Sequence, residues 1–424
     1  FTDRRQRQMC IRDRGSEDCL YLDIFAPKKN SESLRPVMFW IHGGANTSGL
    51  KDLYDFSKFV KKQEIILVRI NYRLGPFGWF THPAIQDLQE GIDKTSNFGT
   101  LDIIAALKWV NKNIDKFGGD PKNITIFGES AGGHNVLSLL VSREAKGLFH
   151  KAISMSGYTE SISQRNAYKQ TQESFTSKHT SWEVVNRIIL SKKQNKKQTD
   201  YSKSELSNLL REMSGEEFYS YYTERKNYEE IPLLTNDGLV IPDVGLKEAL
   251  SRVEYVNNVP TMIGSNRDEV KFWLAFSKYL VTVQNTLGGS IFSLPKIIIK
   301  DKDVYEAFNF YRSMAWKVRG VDEPLNSLIK AGNTNLYSYR FDWDDQRKFL
   351  IANFKELFGA THALEVPLLA GDSALVGGPP VSNFIYPRGI SRFYMSRNIM
   401  RFWANFAKTG FPGNSTNNII WTPY

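Results

Sequence analysis

Cysteine is scarce in this chain. Its 424 residues include two, Cys10 and Cys19. A disulfide-built scaffold is therefore excluded, and one internal bridge is the most the chain can form. A chain of this length buries enough apolar surface to need neither disulfides nor a metal staple. Long apolar runs are lacking too. No stretch approaches the ~18–20 residues of a membrane-spanning helix, and the best are short, such as Ile65–Val68. No internal repeat and no Pro/Gly/Ser-rich linker divides the sequence. Acidic residues are outnumbered, 45 against 55 basic, giving a formal charge of +10. The basic residues do not form a nucleic-acid footprint. The densest run, Lys192–Lys197, has no interleaved aromatics and reads as a solvated loop between helical segments. The other concentration, Arg4 to Arg14, lies at the start. The aromatics fall inside apolar-periodic segments, as core residues do, and make no base-stacking platform. What remains is a globular composition, 41% hydrophobic and 24% charged.

Short apolar runs alternate with helical patterns. Val37–Ile41, Ile65–Ile70, Ile124–Phe127, Ala152–Met155, Thr261–Gly264 and Leu336–Phe341 are rich in β-branched and aromatic residues, as strands buried on both faces are. Leu101–Ile114 and Phe393–Ala407 repeat apolar residues at helical spacing, with Trp109 at the margin of the first. The second ends at Gly410 and Pro412. The alternation predicts an α/β fold with a mostly parallel central sheet flanked by helices. The polar stretch 160–240 reads as a helical insertion covering the sheet, and 270–335 as a further helical segment.

Gly128-Glu129-Ser130-Ala131-Gly132 matches G-x-S-x-G. It follows the strand Ile124–Phe127 and precedes the helical Val136–Val141, which is the context a nucleophilic serine on a strand-to-helix turn requires. A plain helix-capping serine would not need the paired glycines. The serine needs a base, and in this chemistry the chain order is serine, acid, histidine. Of six histidines, His42 and His82 precede Ser130. His134 and His150 leave too little chain for another strand, and His179 lies in the helical insertion. His362 remains, in a turn after a segment, Gln346–Phe358, that reads as helical. His134, four residues past Ser130, reads as a packing group. The acid belongs in the loop after Thr261–Gly264, where the pattern leaves Asp268 and Glu269 equal. Trp40–Ala45 is a strand ending in a small-residue turn, suited to bringing backbone amides to an oxyanion, with the Ala131 amide beside them.

With these residues in view, the chain resembles the type-B carboxylesterase/cholinesterase group of α/β-hydrolases. The matching stretches include Ser16–Leu22, Trp40–Ala45, Asn71–Pro76, Asn97–Gly99 with Asp102, and Phe117–Pro121. Gly128–Gly133, Ser156-Gly157, Asp268-Glu269 and Gly359–Glu365 follow. The resemblance runs from about residue 15 to the end, as a single α/β-hydrolase domain. It implies Ser130, Glu269 and His362 as a catalytic triad, and so chooses the acid that pattern left open. It implies oxyanion amides at Gly44, Ala45 and Ala131, with Ser156 supporting the triad. It implies a small-molecule ester substrate, acyl-enzyme chemistry and no cofactor or metal. It also offers an alternative, a cholinesterase-like binding module that has lost catalysis. A choline esterase is disfavoured, because the loop that carries the cation-binding aromatic in such relatives, upstream of the Cys19 position, is absent.

Several features depart from the family pattern. Asn46 stands where relatives commonly carry an aromatic, which predicts a smaller, more polar pocket wall. Relatives begin before the Ser16–Leu22 stretch and continue past Trp421–Tyr424, so both ends look truncated. Residues 1–14 read as an atypical leader. Cys19 pairs in relatives with an earlier cysteine, which makes Cys10 its candidate partner. Asn-x-Ser/Thr triplets at Asn46, Asn123 and Asn414, together with the resemblance, leave secretion or a periplasmic location open.

Overall fold

The computed structural model describes residues 16–28, 33–169, 180–192, 196–223, 233–285, 295–349, 351–372, 381–414 and 421–424. A seven-stranded sheet organises them. Its strands are β1 (Leu22–Phe25), β2 (Arg35–Ile41), β3 (Ile66–Ile70), β4 (Gly119–Glu129), β5 (Lys151–Met155), β6 (Thr261–Asn266) and β7 (Leu336–Phe341). The order is β1-β3-β2-β4-β5-β6-β7. Only the edge pair β1/β3 is antiparallel; every other neighbouring pair is parallel.

The apolar runs follow from burial on both sides. Val37, Phe39 and Ile41 of β2 face one core, while Met38 and Trp40 face the other. Helices α1 (Ser57–Gln63), α2 (Phe98–Asn113), α3 (Ala131–Val141), α4 (Lys302–Lys317), α5 (Glu365–Ala370) and α6 (Ile390–Thr409) surround the sheet. The apolar faces of α2 and α3 close the first core, and those of α1, α5 and α6 close the second. The parallel strands all deliver their carboxyl ends to one edge, where open α/β sheets place their sites.

The six expected strands and both long helices are present, with ends shifted by a few residues. Two local expectations are corrected. Gln346–Phe358 is helical only over Phe354–Phe358; before it, Lys348–Phe349 pairs with Ala352–Asn353. Phe349 and Phe354 both pack on Phe384, with ring centroids 4.0 and 5.9 Å away, and this draws the pair together. Within 270–335 an antiparallel ribbon, Val281–Asn285 with Pro295–Ile299, precedes α4. Its Val and Ile residues favour extended chain. The described part of 160–240 includes the α-helices Gln164–Tyr168, Ser181–Ser191, Lys203–Arg211 and Gly215–Thr223. The proposed Cys10–Cys19 bridge involves a residue outside the described ones. No helix of the described chain is long and apolar enough to cross a membrane.

Candidate active site

Ser130 occupies the turn from β4 into α3 with φ 58° and ψ −122°. Such a backbone is strained for a non-glycine residue and persists only where surroundings hold it. Here the Ser130 amide donates to Met155 O at 2.8 Å, and Ser130 O accepts from the His134 amide at 2.9 Å. Close approach also explains the glycines. A Cβ on Gly132 would lie 2.0 Å from Ile41 O. A Cβ on Gly43 would lie 2.7 Å from Glu129 O and 3.1 Å from Ser130 Cβ. The end of β2 is thus pressed against the serine turn.

The turn after β2 runs through positive φ at Gly44 (107°), Ala45 (54°) and Asn46 (57°). Gly44 O accepts from the amides of Thr47 and Ser48, each at 3.0 Å. Among the described residues, no hydrogen bond takes up the amides of Gly44 or Ala45. Ala131 opens α3, so its amide has no intrahelical acceptor either.

His362 lies in the turn before α5. Its Nδ1–H donates to Glu269 Oε2 at 2.5 Å. The other Glu269 oxygen accepts from Ser156 Oγ at 2.6 Å and from the Asn266 amide at 2.7 Å. Ser156 follows β5 with φ 49°. Asp268 faces away from the imidazole. It accepts from Arg267, from Asn309 Nδ2 at 2.7 Å and from the Ala360 amide at 2.9 Å. The geometry therefore puts Glu269, not its neighbour, against the histidine.

His362 Nε2 lies 3.1 Å from Glu129 Oε1. Among the described residues, no hydrogen bond joins it to Ser130 Oγ. Glu129 is the residue before the serine, at the end of β4, and is 4% exposed. Glu365, at the start of α5, is fully buried and accepts from Asn266 Nδ2 at 2.6 Å. Two buried carboxylates, Glu129 and Glu269, thus stand against one imidazole, and the charge of a third, Glu365, reaches it. Burial raises the pKa of Glu129 and Glu365, and the neighbouring carboxylates add to it. Burial pushes His362 down, but the charges of Glu129 and Glu269 outweigh it and hold the ring up at about 9. The sequence reading passed over Glu129 and Glu365. The signal was available for Glu129, because a carboxylate ending the apolar run Ile124–Phe127, beside the Ser130 turn, lies on the buried half of its strand.

Trp273 and Trp316 stand 5.0 and 4.9 Å from the imidazole, ring centroid to ring centroid, and stack on each other. They give the site an aromatic side. Asn46 does not line the pocket as expected. It is fully buried, and its side chain meets Asn135 at 2.9 Å and Tyr72 at 3.2 Å. Its left-handed backbone turns the side chain inward, where polar partners satisfy it. His134 stacks on Tyr158 at 4.2 Å and bonds Glu160 O, as a packing group does. His42 stacks on Tyr72, and His82 accepts from the Ala84 amide. His179 lies outside the described residues.

The sequence model of the carboxylesterase family matches residues 2–288 and 300–424. The para-nitrobenzyl esterase of Bacillus subtilis (strain 168) is 33% identical over 422 residues, covering 97% of this chain and 78% of that protein. The liver carboxylesterase of Sus scrofa is 30% identical, covering 94% and 70%. Among solved structures, a PNB esterase superposes with a TM-score of 0.69 at 29% identity, covering 97% of this chain and 80% of that one. A Geobacillus stearothermophilus carboxylesterase gives 0.69 at 27%, covering 96% and 80%. The sheet is accordingly that of an α/β-hydrolase, and the chain belongs to the carboxylesterase family.

Proposed function

We propose that this chain hydrolyses carboxylic esters through Ser130, His362 and Glu269, by way of an acyl-enzyme. The observation that carries the reading is the convergence at one sheet edge of a strained serine turn, unclaimed amides and a buried imidazole bonded to a carboxylate. Ser130 Oγ attacks the ester carbonyl carbon. His362 Nε2 takes the hydroxyl proton, and the charged ring is stabilised by Glu269, which also fixes its tautomer. The amides of Gly44, Ala45 and Ala131 hold the oxyanion; each such donor is worth ~2.7–4 kcal/mol in the transition state. Collapse expels the alcohol, which receives the proton from His362. Water then repeats the sequence on the acyl-serine and releases the acid. Catalysis requires His362 Nε2 to turn from Glu129 Oε1, 3.1 Å away, to the serine hydroxyl. The substrate is a small-molecule ester, and Trp273 and Trp316 favour an apolar group beside His362.

The relatives named above are esterases, and the silent binding module draws no support from them. The test is hydrolysis of p-nitrophenyl acetate. Ser130→Ala is expected to lower kcat by about 10⁶. Equal rates for the two proteins would overturn the reading.

A further inference from the structure

An open surface depression of about 770 Å³ lies away from the site, between α1 and the start of α6. Lys58, Lys61 and Lys62 line it from α1, and Arg388, Arg392 and Phe393 from the other side. Its origin is legible in the sequence. In α1, Phe59 and Val60 point into the core, which leaves the three lysines on the outer face. Arg388 lies just before α6 and Arg392 in its first turn, and the extended Gly389 between them leaves both on the lining. Gly371 closes the floor with φ 75°, where a Cβ would lie 3.2 Å from Lys58 Cβ.

Among the described residues, the lining holds five cationic side chains and no carboxylate. None of the five takes part in a salt bridge among the described residues. The nearby acids are Asp55, whose field reaches Lys58, and Asp372, whose field reaches Arg392. Arg392 spends one N–H on Tyr386 O at 2.8 Å. Burial and the Arg388 charge both disfavour its charged form. Like charges held in a concave wall focus a positive potential and repel one another. A multivalent anion would relieve that repulsion and stabilise the fold by mass action.

We propose that this depression binds a compact polyanion, a small molecule carrying two or more phosphate groups. The volume falls in the ~300–1,000 Å³ range of small-molecule sites. A concave site suits such a molecule better than it suits a membrane plane. Guanidinium forks fit phosphate oxygens in pairs, while lysines act as point charges. Phe393, 55% exposed at the rim, holds Lys62 Nζ over one face, 6.0 Å from the ring centroid, and offers the other to the organic part of the molecule. None of the lining residues belongs to the catalytic group, so the site is independent of the proposed ester chemistry. The two are joined structurally, because Gly371 caps α5, whose first residue is Glu365. A helix of six residues puts them ~9 Å apart along its axis.

The test is calorimetric titration of the full chain with inorganic triphosphate at low, fixed ionic strength. Wild type is compared with a Lys61→Ala/Lys62→Ala/Arg388→Gln variant, changed only at exposed positions. A second variant, Lys192→Ala/Lys196→Ala/Lys197→Ala, removes equal charge from the exposed basic run. Thermal unfolding without ligand checks that both variants fold. The expected result is one site, weakened about tenfold or more in the depression variant and less than about twofold in the control. Equal weakening in both variants would mean nonspecific attraction and overturn the proposal, as would absence of binding to wild type. Anionic phospholipid vesicles that compete more strongly than triphosphate at equal phosphate would assign the surface to a membrane instead, which also overturns it.

Discussion

Two clusters of carboxylates meet at the loop after β6, and their charges are balanced differently. Around Asp268 every acid has a full cation. Arg267 bonds both Asp268 and Asp344, and Lys355 adds a second cation to Asp344. Burial pushes Asp268 up, but Arg267 and Lys271 outweigh it and hold it below the usual range. One residue further on, Glu269 and Glu129 stand against a single imidazole, which the charge of Glu365 also reaches. There the acids outnumber the base, and burial drives Glu129 and Glu365 upward. The paired cluster costs little to keep and fastens the loop. The crowded one costs stability, and it holds a proton that can move. Adjacent residues of like chemistry thus separate into a loop clasp and a partner of the imidazole by what faces them.

Breaking the crowded cluster should cost activity, and breaking the paired one should cost stability. The largest effect is expected from Glu269→Gln, which keeps the shape but removes the charge that fixes the imidazole. Its kcat for p-nitrophenyl acetate should fall by about 10⁴. Ser156→Ala removes the 2.6 Å bond to Glu269 Oε1 and should lower kcat by about 10–100-fold with KM nearly unchanged. Glu129→Gln acts on the pH profile. Only unprotonated His362 accepts the serine proton, and Glu129 raises its pKa. Activity in the wild type should therefore climb with pH at a midpoint above the reference value of about 6.5. The variant should lose part of that rise and move the midpoint down by about one unit. An unmoved midpoint would remove Glu129 from the account. The smallest effect on kcat, within a few-fold, is expected for Asp268→Asn. That change should instead lower unfolding stability by about 2 kcal/mol, a buried-pair loss moderated by the exposure of Arg267, read by urea denaturation.

What the sequence disclosed follows the range of the interactions. The Ser130 turn was legible because its requirements are local: a strand, two close glycines and a helix start within a few residues. The strands were legible because burial on both faces leaves continuous apolar runs. Pattern alone left Asp268 and Glu269 equal, and only the resemblance chose between them, since they differ in the distant groups they meet, Asn309 and Ala360 or His362 and Ser156. Glu365 was hidden because it lies 236 positions from Glu129, and folding alone brings the charges of both to the imidazole. Asn46 misled for a related reason. Its place in the turn suggested the pocket, yet a left-handed backbone sends it to Asn135 and Tyr72. The edge strand β1 and the ribbon before α4 were missed because short, mixed segments take their form from the strand beside them.

The most direct measurement is the rate and position of covalent labelling by a fluorophosphonate, followed by mass spectrometry. Labelling should place one adduct on Ser130 in the wild type. It should slow about a thousandfold or more in Glu269→Gln and stay within a few-fold in Asp268→Asn. An adduct on another residue, or equal slowing in the two variants, would contradict the account.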